Sequence, residues 1–204
     1  MFGQRIYIPQ VTKNLLIINI ILYLATLVNE NFMVATFALF YPTSPYFRIW
    51  QIVTHMFMHG GFWHLFFNMY ALFIFGSVIE QVIGSRKFLI FYFVCGLGAA
   101  GLHLGVQALQ AAPSMVPTLG ASGAIYGVLI AYAMLFPDSK LTLIFPPISL
   151  SAKVWVLIFI GIELVTGLLG TADGIAHFAH LGGMLLGFLL ITYWKKRGTL
   201  FNRN

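Results

Sequence analysis

Six long stretches of this chain carry almost no charge, and that pattern limits its folds more than any single motif. They cover about residues 13–29, 62–83, 88–109, 121–136, 154–169 and 175–194. Each comes near the roughly 20 apolar residues that a helix needs to cross a hydrocarbon layer about 30 Å thick. Backbone polar groups must satisfy one another in lipid, so the runs are expected as helices. Only 8% of the residues are charged and 60% are hydrophobic. A soluble domain carries about 25% charged residues, which excludes that class. The expectation is an all-α membrane protein, a single domain over residues 1–204 with six transmembrane helices.

The links between the runs carry the remaining information. The first run has a basic flank like a signal peptide, but no convincing cleavage site follows, so it is read as a retained helix. Residues 30–60 are aromatic and broken by Pro42 and Pro45. They are too interrupted to span and too apolar for a solvated loop, so a partly membrane-embedded first outer loop is expected. Residues 138–153 read as a hairpin or loop at the membrane surface. Net charge is +6, yet the basic residues lie between apolar runs and not on one polar face, so nucleic acid is not expected as a partner. With six spans both termini share a side. That side holds Arg5, Lys13, Arg86, Lys87, Lys140, Lys153, Lys195, Lys196, Arg197 and Arg203, against Arg48 alone on the other. Both termini are therefore expected in the cytoplasm, with the chain as a multi-pass protein of the cell inner (plasma) membrane. The lone Cys95 sits in an apolar run and reads as packing.

Chemistry concentrates at the outer ends of two runs. Ser122 lies in Gly120-Ala121-Ser122-Gly123-Ala124, at the head of the fourth run. His180 lies near the start of the sixth, in Ala179-His180-Leu181-Gly182-Gly183. Gly123 and Gly127 are four apart, as are Gly183 and Gly187, and each pair makes a groove for close helix approach. Ser122 and His180 flank these surfaces, so close crossing would bring hydroxyl and imidazole together. A serine becomes a useful nucleophile when a base such as histidine takes its proton. Alone, Ser122 would read as a small residue at a helix contact. Tyr126 shares its helix face, four residues on. In the second run His64 and Asn68 are also four apart, and both can donate hydrogen bonds to a developing oxyanion. Interhelical bonding is the plainer reading of that pair. The fourth run spans only about 24 Å of helix, which sets Ser122 several Å below the outer surface, beside an irregular segment that must line protein or water.

Taken together, these segments resemble the rhomboid family of intramembrane serine proteases. The residues that carry the likeness are Gly120-Ala-Ser122-Gly123-Ala, His180-Leu-Gly-Gly183 with Gly187, and His59-Gly-Gly-Phe-Trp-His64-Leu-Phe-Phe-Asn68. Glu80 with Gly84 fits as well. The resemblance implies a six-transmembrane-helix rhomboid bundle of the bacterial type. It implies a serine–histidine dyad without a catalytic acid: Ser122 as nucleophile and His180 as base. His64 and Asn68 correspond to oxyanion-binding positions and Tyr126 to a ring packed on the imidazole. Gly123, Gly183 and Gly187 support the helix contact. Substrates would be single-span membrane proteins met in the lipid, and no cofactor is implied. The family's first outer loop usually carries Trp-Arg; here Trp50 precedes Gln51, which puts that loop's hydrogen bonding in question.

Other polar residues are weighed against plainer roles. His177 lies one turn before His180, but the glycine spacing favours His180. His55, His59 and His103 read as hydrogen-bonding groups of the interface or between helices. No HExxH occurs and no carboxylate is an obvious third ligand, so no metal site is expected. Glu163 falls within the fifth run and Asp173 in the loop before the sixth; neither is assigned to catalysis, Glu163 reading as a carboxyl bonded to a neighbouring helix. The rival functions are a non-catalytic rhomboid-like protein that binds or escorts membrane proteins, and a solute transporter. A transporter would need a polar path through the inner half, where little polar lies.

Overall fold

The computed structural model describes residues 8–110, 115–142, 147–169 and 176–201. Asp173, Pro146, residues 112–114 of the segment before Ser122, and the terminal Arg5 and Arg203 fall outside them. Helix α1 (Gln10–Val28) leads into α2 (Glu30–Phe37) and the short α3 (Gln51–Thr54). The second apolar run is one rod, Phe62–Ile83, made of α4 (Phe62–Ala71), a π-helical turn at Leu72–Gly76 and α5 (Ser77–Ile83). Then come α6 (Ser85–Ala108), α7 (Ser122–Leu135), strands β1 (Lys140–Thr142) and β2 (Ser149–Ser151), α8 (Ala152–Leu169) and α9 (His177–Lys196). The protein is a helical membrane bundle. Among the described residues five helices are long and apolar enough to cross a bilayer: α1, the Phe62–Ile83 rod, α6, α8 and α9. Helix α7 has 14 residues, about 21 Å of rise, and its shortness is covered by the helices around it. The third run starts three residues earlier than the sequence suggested and the sixth ends two later.

Helix ends follow local chemistry. Asn29 closes α1 and caps α2, its side chain accepting from the Phe32 N–H at 3.1 Å. Glu80, buried on α5, accepts from the backbone N–H groups of Val11 and Thr12, at 2.9 and 2.7 Å, and from the Thr12 and Ser85 hydroxyls. Its carboxylate thereby closes the N-terminus of α1, where orphan donors and the helix dipole favour an anion. Pro137 lies just past the end of α7 and offers no N–H to continue it. Of the hairpin or loop expected over residues 138–153, two paired strands are found: β1 runs antiparallel to β2, Leu141 opposite Leu150. Trp155 donates to the Leu141 carbonyl at 2.9 Å and ties the hairpin to α8.

Helices α6, α7 and α9 form the centre. A Cβ on Gly183 would lie 1.8 Å from the Gly123 carbonyl oxygen, and one on Gly187 would lie 2.9 Å from that of Gly127. A Cβ on Gly182 would meet the Gly98 carbonyl oxygen of α6 at 2.6 Å. These backbones touch, so any side chain would force the helices apart. Phe88, Phe91, Tyr92 and Cys95 of α6 fill the interior beneath. The outward faces are apolar instead, with Ile21, Leu24 and Leu27 exposed on α1 and Leu157, Val165 and Leu168 on α8. An exposed greasy belt suits lipid, not water.

The link over residues 30–60 is organised by Gln51, the residue that stands where the resemblance expected arginine. Gln51 is fully buried. Its amide nitrogen donates to the carbonyls of Ala35, Thr36 and Tyr46, and its oxygen accepts from the N–H groups of Phe40 and Arg48. Arg48 bonds the Pro45 and Phe47 carbonyls. An uncharged amide thus closes the loop from inside, using both donor and acceptor. The loop's exposed face carries Phe32, Tyr46, Ile49 and Trp50, a surface suited to the bilayer interface.

Candidate active site

Helix α7 begins at Ser122 with its first turn uncapped by any side chain. The opening N–H groups of a helix have no intrahelical partner, and the dipole adds partial positive charge there. The chain reaches this point through Gly120, at φ +135°, a conformation that L side chains rarely adopt. A Cβ on Gly120 would also lie 2.9 Å from His64 Nε2 and 3.4 Å from Ser122 Oγ. Both functional groups therefore border the space that glycine leaves empty. Three bonds hold the segment from outside: the Gly120 N–H donates to the His55 carbonyl, and Thr118 and Leu39 exchange N–H and carbonyl bonds as an isolated bridge. The link over residues 30–60 is thus fastened to the stretch just before Ser122. His55 itself donates from Nδ1 to the Gln51 carbonyl at 2.9 Å, and burial pushes its imidazole down to about 4.

Ser122 Oγ lies 2.8 Å from His180 Nε2. The close crossing of α7 and α9 makes this meeting possible. The His180 ring stacks on Tyr126, with centroids 4.2 Å apart and planes 5° from parallel. On the other side of the ring, Nδ1 is 2.8 Å from Glu163 Oε1. That acid also accepts the Tyr126 hydroxyl at 2.6 Å, and its Oε2 lies 2.7 Å from His177 Nδ1. Glu163 is 5% exposed, although Ile162, Leu164 and Val165 beside it face outward. The sequence reading saw Glu163 as a carboxyl bonded to a neighbouring helix and left it out of the chemistry. It does bridge helices, but the group it reaches is His180. The resemblance implied a dyad without an acid; here a carboxyl lies within hydrogen-bond distance of the imidazole.

Asn68 is nearly buried and donates one amide N–H to the His64 carbonyl at 2.8 Å; a carboxamide nitrogen has a second. His64 packs edge-on to His59, with centroids 5.0 Å apart, and His59 makes that ring contact in place of the hydrogen bond expected of it. His103 meets Thr118 Oγ1 at 2.7 Å and Gln107 at 3.0 Å. Among the described residues no His, Cys, Asp and Glu side chains are grouped to hold a metal ion. Around Glu163 the ring nitrogens face carboxylate oxygens at hydrogen-bond distance.

Two cavities meet at Ser122. The larger, about 1040 Å³, sets His55, His103, Gln107, His177 and His180 among apolar residues such as Met56, Trp63, Leu119 and Phe178. The smaller, about 340 Å³, is lined by Trp63, Phe67 and Asn68 of α4, Ser122 and Tyr126 of α7, and Phe159 of α8. The larger cavity brings four histidines besides His64 to its wall, whereas the smaller is almost wholly apolar apart from His64, Asn68, Ser122 and Tyr126.

A serine and a histidine joined in the interior of a polytopic helical bundle define a class of membrane protein with a buried polar centre. The family model described as the Rhomboid domain matches residues 46–197, and the chain belongs to the rhomboid family. It is 32% identical over 147 residues to "Rhomboid protein 1, mitochondrial" of Saccharomyces cerevisiae, covering 72% of this chain and 42% of that protein. It is 37% identical over 141 residues to "RHOMBOID-like protein 6, mitochondrial" of Arabidopsis thaliana, with 69% and 42% covered. Identity to "Presenilin-associated rhomboid-like protein, mitochondrial" of Homo sapiens is 33% over 150 residues, with 71% and 39% covered. The matches span about two fifths of these relatives' length.

Proposed function

We propose that the chain is an intramembrane serine endopeptidase that cuts single-span membrane proteins within or near their membrane segment. The observation that carries this reading is the 2.8 Å contact between Ser122 Oγ and His180 Nε2 at the uncapped head of α7. Ser122 attacks the scissile carbonyl as His180 takes its proton. The oxyanion forms at the N-terminus of α7. There the Ser122 N–H, the Asn68 amide and the His64 ring are its donors. His180 then protonates the leaving amine, and water from the larger cavity hydrolyses the acyl-enzyme. The substrate helix comes from the side, between α4 and α8, into the groove lined by Trp63, Phe67 and Phe159. It must unwind there, because a helix keeps its amides bonded to one another.

In this reading α7 completes six crossings, and both termini share the basic face of the membrane. That face is the cytosol for a plasma-membrane protein and the matrix for a mitochondrial one. The relatives' names carry the word mitochondrial, which favours a mitochondrial membrane over the plasma membrane expected from sequence. Reporter fusions at the two termini test the orientation.

The activity is tested with a fluorophosphonate probe and a single-span test substrate. Wild type is expected to label and cleave, while Ser122→Ala does neither and His180→Ala loses at least about 10³-fold in rate. Full cleavage by Ser122→Ala would refute the proposal. An unlabelled wild-type protein that retains single-span clients would be an escort instead.

A further inference from the structure

We propose that Glu163 is a positioning residue that completes a Ser122–His180–Glu163 relay, giving this chain the acid that the family resemblance leaves out. The inference rests on the roles of Ser122 and His180 proposed above and adds a third group to them.

The geometry makes both imidazole nitrogens accountable. Nε2 faces Ser122 Oγ at 2.8 Å and Nδ1 faces Glu163 Oε1 at 2.8 Å. A neutral imidazole carries one N–H. If the proton sat on Nε2, that nitrogen could not accept from the serine. A carboxylate only accepts, so Glu163 holds the N–H on Nδ1 and leaves the Nε2 lone pair for the Ser122 hydroxyl. The parallel Tyr126 ring fixes the plane of the imidazole, and Glu163 fixes its rotation within that plane.

The surroundings of Glu163 suit the ionised form. Tyr126 donates its hydroxyl to Oε1 and His177 Nδ1 lies against Oε2. The Thr166 hydroxyl, also beside His177 Nδ1, donates to the Ile162 carbonyl at 2.6 Å. Three side chains from α7 and α9 thus converge on one carboxyl of α8. A lone interhelical hydrogen bond would need only one. A charge buried in a span is costly unless partnered on every side, and this one is.

The chemical consequence follows the proton. As the bond from Ser122 Oγ to the carbonyl carbon forms, the carbonyl electron pair moves onto oxygen and the serine proton passes to His180 Nε2. The imidazole is now a cation, 2.8 Å from the Glu163 carboxylate. Glu163 stabilises that cation without taking its proton. The Nε2 proton then goes to the amine nitrogen as the C–N bond breaks.

The test uses the full chain in liposomes with a fluorogenic single-span substrate. Glu163→Gln keeps the shape and removes the charge. Its kcat is expected to fall about 10²- to 10⁴-fold with KM within about twofold, because the substrate groove is untouched. Histidine labelled with ¹⁵N supplies a second readout on wild type alone. The His180 signal, identified by its loss in His180→Gln, is expected to be the Nδ1–H tautomer with a low-field proton. A wild-type Nε2–H tautomer overturns the inference even if Glu163→Gln does not fold. So does a Glu163→Gln kcat within about threefold of wild type while Ser122→Ala is inactive, and that result leaves the protease reading standing. Activity in Ser122→Ala would instead remove the reading beneath it.

Discussion

The α7–α9 contact and the α8 contact hold the same site by opposite means. Between α7 and α9 two backbones meet through glycine, with the Gly183 α-carbon facing the Gly123 carbonyl and no side chain between them. Helix α8 presents most of its apolar residues outward and reaches the centre through Glu163, with Gly167 packed near His177 and Phe178. Half of the α9 span is buried, against 22% of the α8 span, so one helix belongs to the core and the other to the rim. The first contact fixes where Ser122 and His180 stand. The second sets how the imidazole is turned. Shape alone brings two groups together, and directional bonds decide which lone pair faces which proton.

The sharpest way to break the contrast is to add one carbon at the core contact. Gly183→Ala would place a Cβ 1.8 Å from a backbone oxygen that belongs to α7 and cannot swing aside. Loss of about 3 kcal/mol or more is expected, with probe labelling abolished as the helices part; thermal unfolding and labelling in the same preparation check it. A smaller effect is expected at the groove. Asn68→Ala should lower kcat about 10²- to 10³-fold by removing one oxyanion donor, with fluorophosphonate labelling slowed but not lost and the unfolding temperature little changed. Smallest of all is Gly161→Ala on α8. Nothing lies within 4 Å of the Cβ it would add. Stability should rise by up to about 1 kcal/mol from helix propensity, with cleavage unchanged. A Gly161→Ala variant as damaged as Gly183→Ala would erase the distinction between rim and core.

The same contrast explains what could be read from the amino acids. Apolar length and basic links mark the helical bundle, because bilayer thickness imposes one length on every crossing element. Gly123 and Gly127, Gly183 and Gly187 were legible as contact surfaces because four-residue spacing lies on one helix face. Glu163 was not, because its partners Tyr126, His177 and His180 sit on other helices, and spacing within a helix says nothing of what another helix turns toward it. A carboxyl in an apolar run looks the same whether it bonds a stray hydroxyl or a working imidazole. The role of Gln51 was hidden for a related reason. Its five backbone partners come from 35–36, 40 and 46–48, a loop without periodicity. The π-helical turn at Leu72–Gly76 left no mark in composition, since a wider turn needs no special residue.

Ser122 sits where a wide chamber studded with histidines and a narrower greasy channel share a wall. On the reading proposed above, solvent and a lipid-borne chain arrive by separate doors, so filling one does not shut the other. An inhibitor design follows from that plan. A hydroxyl-rich arm for the chamber and an aliphatic arm for the channel, hinged on an electrophile, would be gripped from both directions at once. Either half alone would leave one door open.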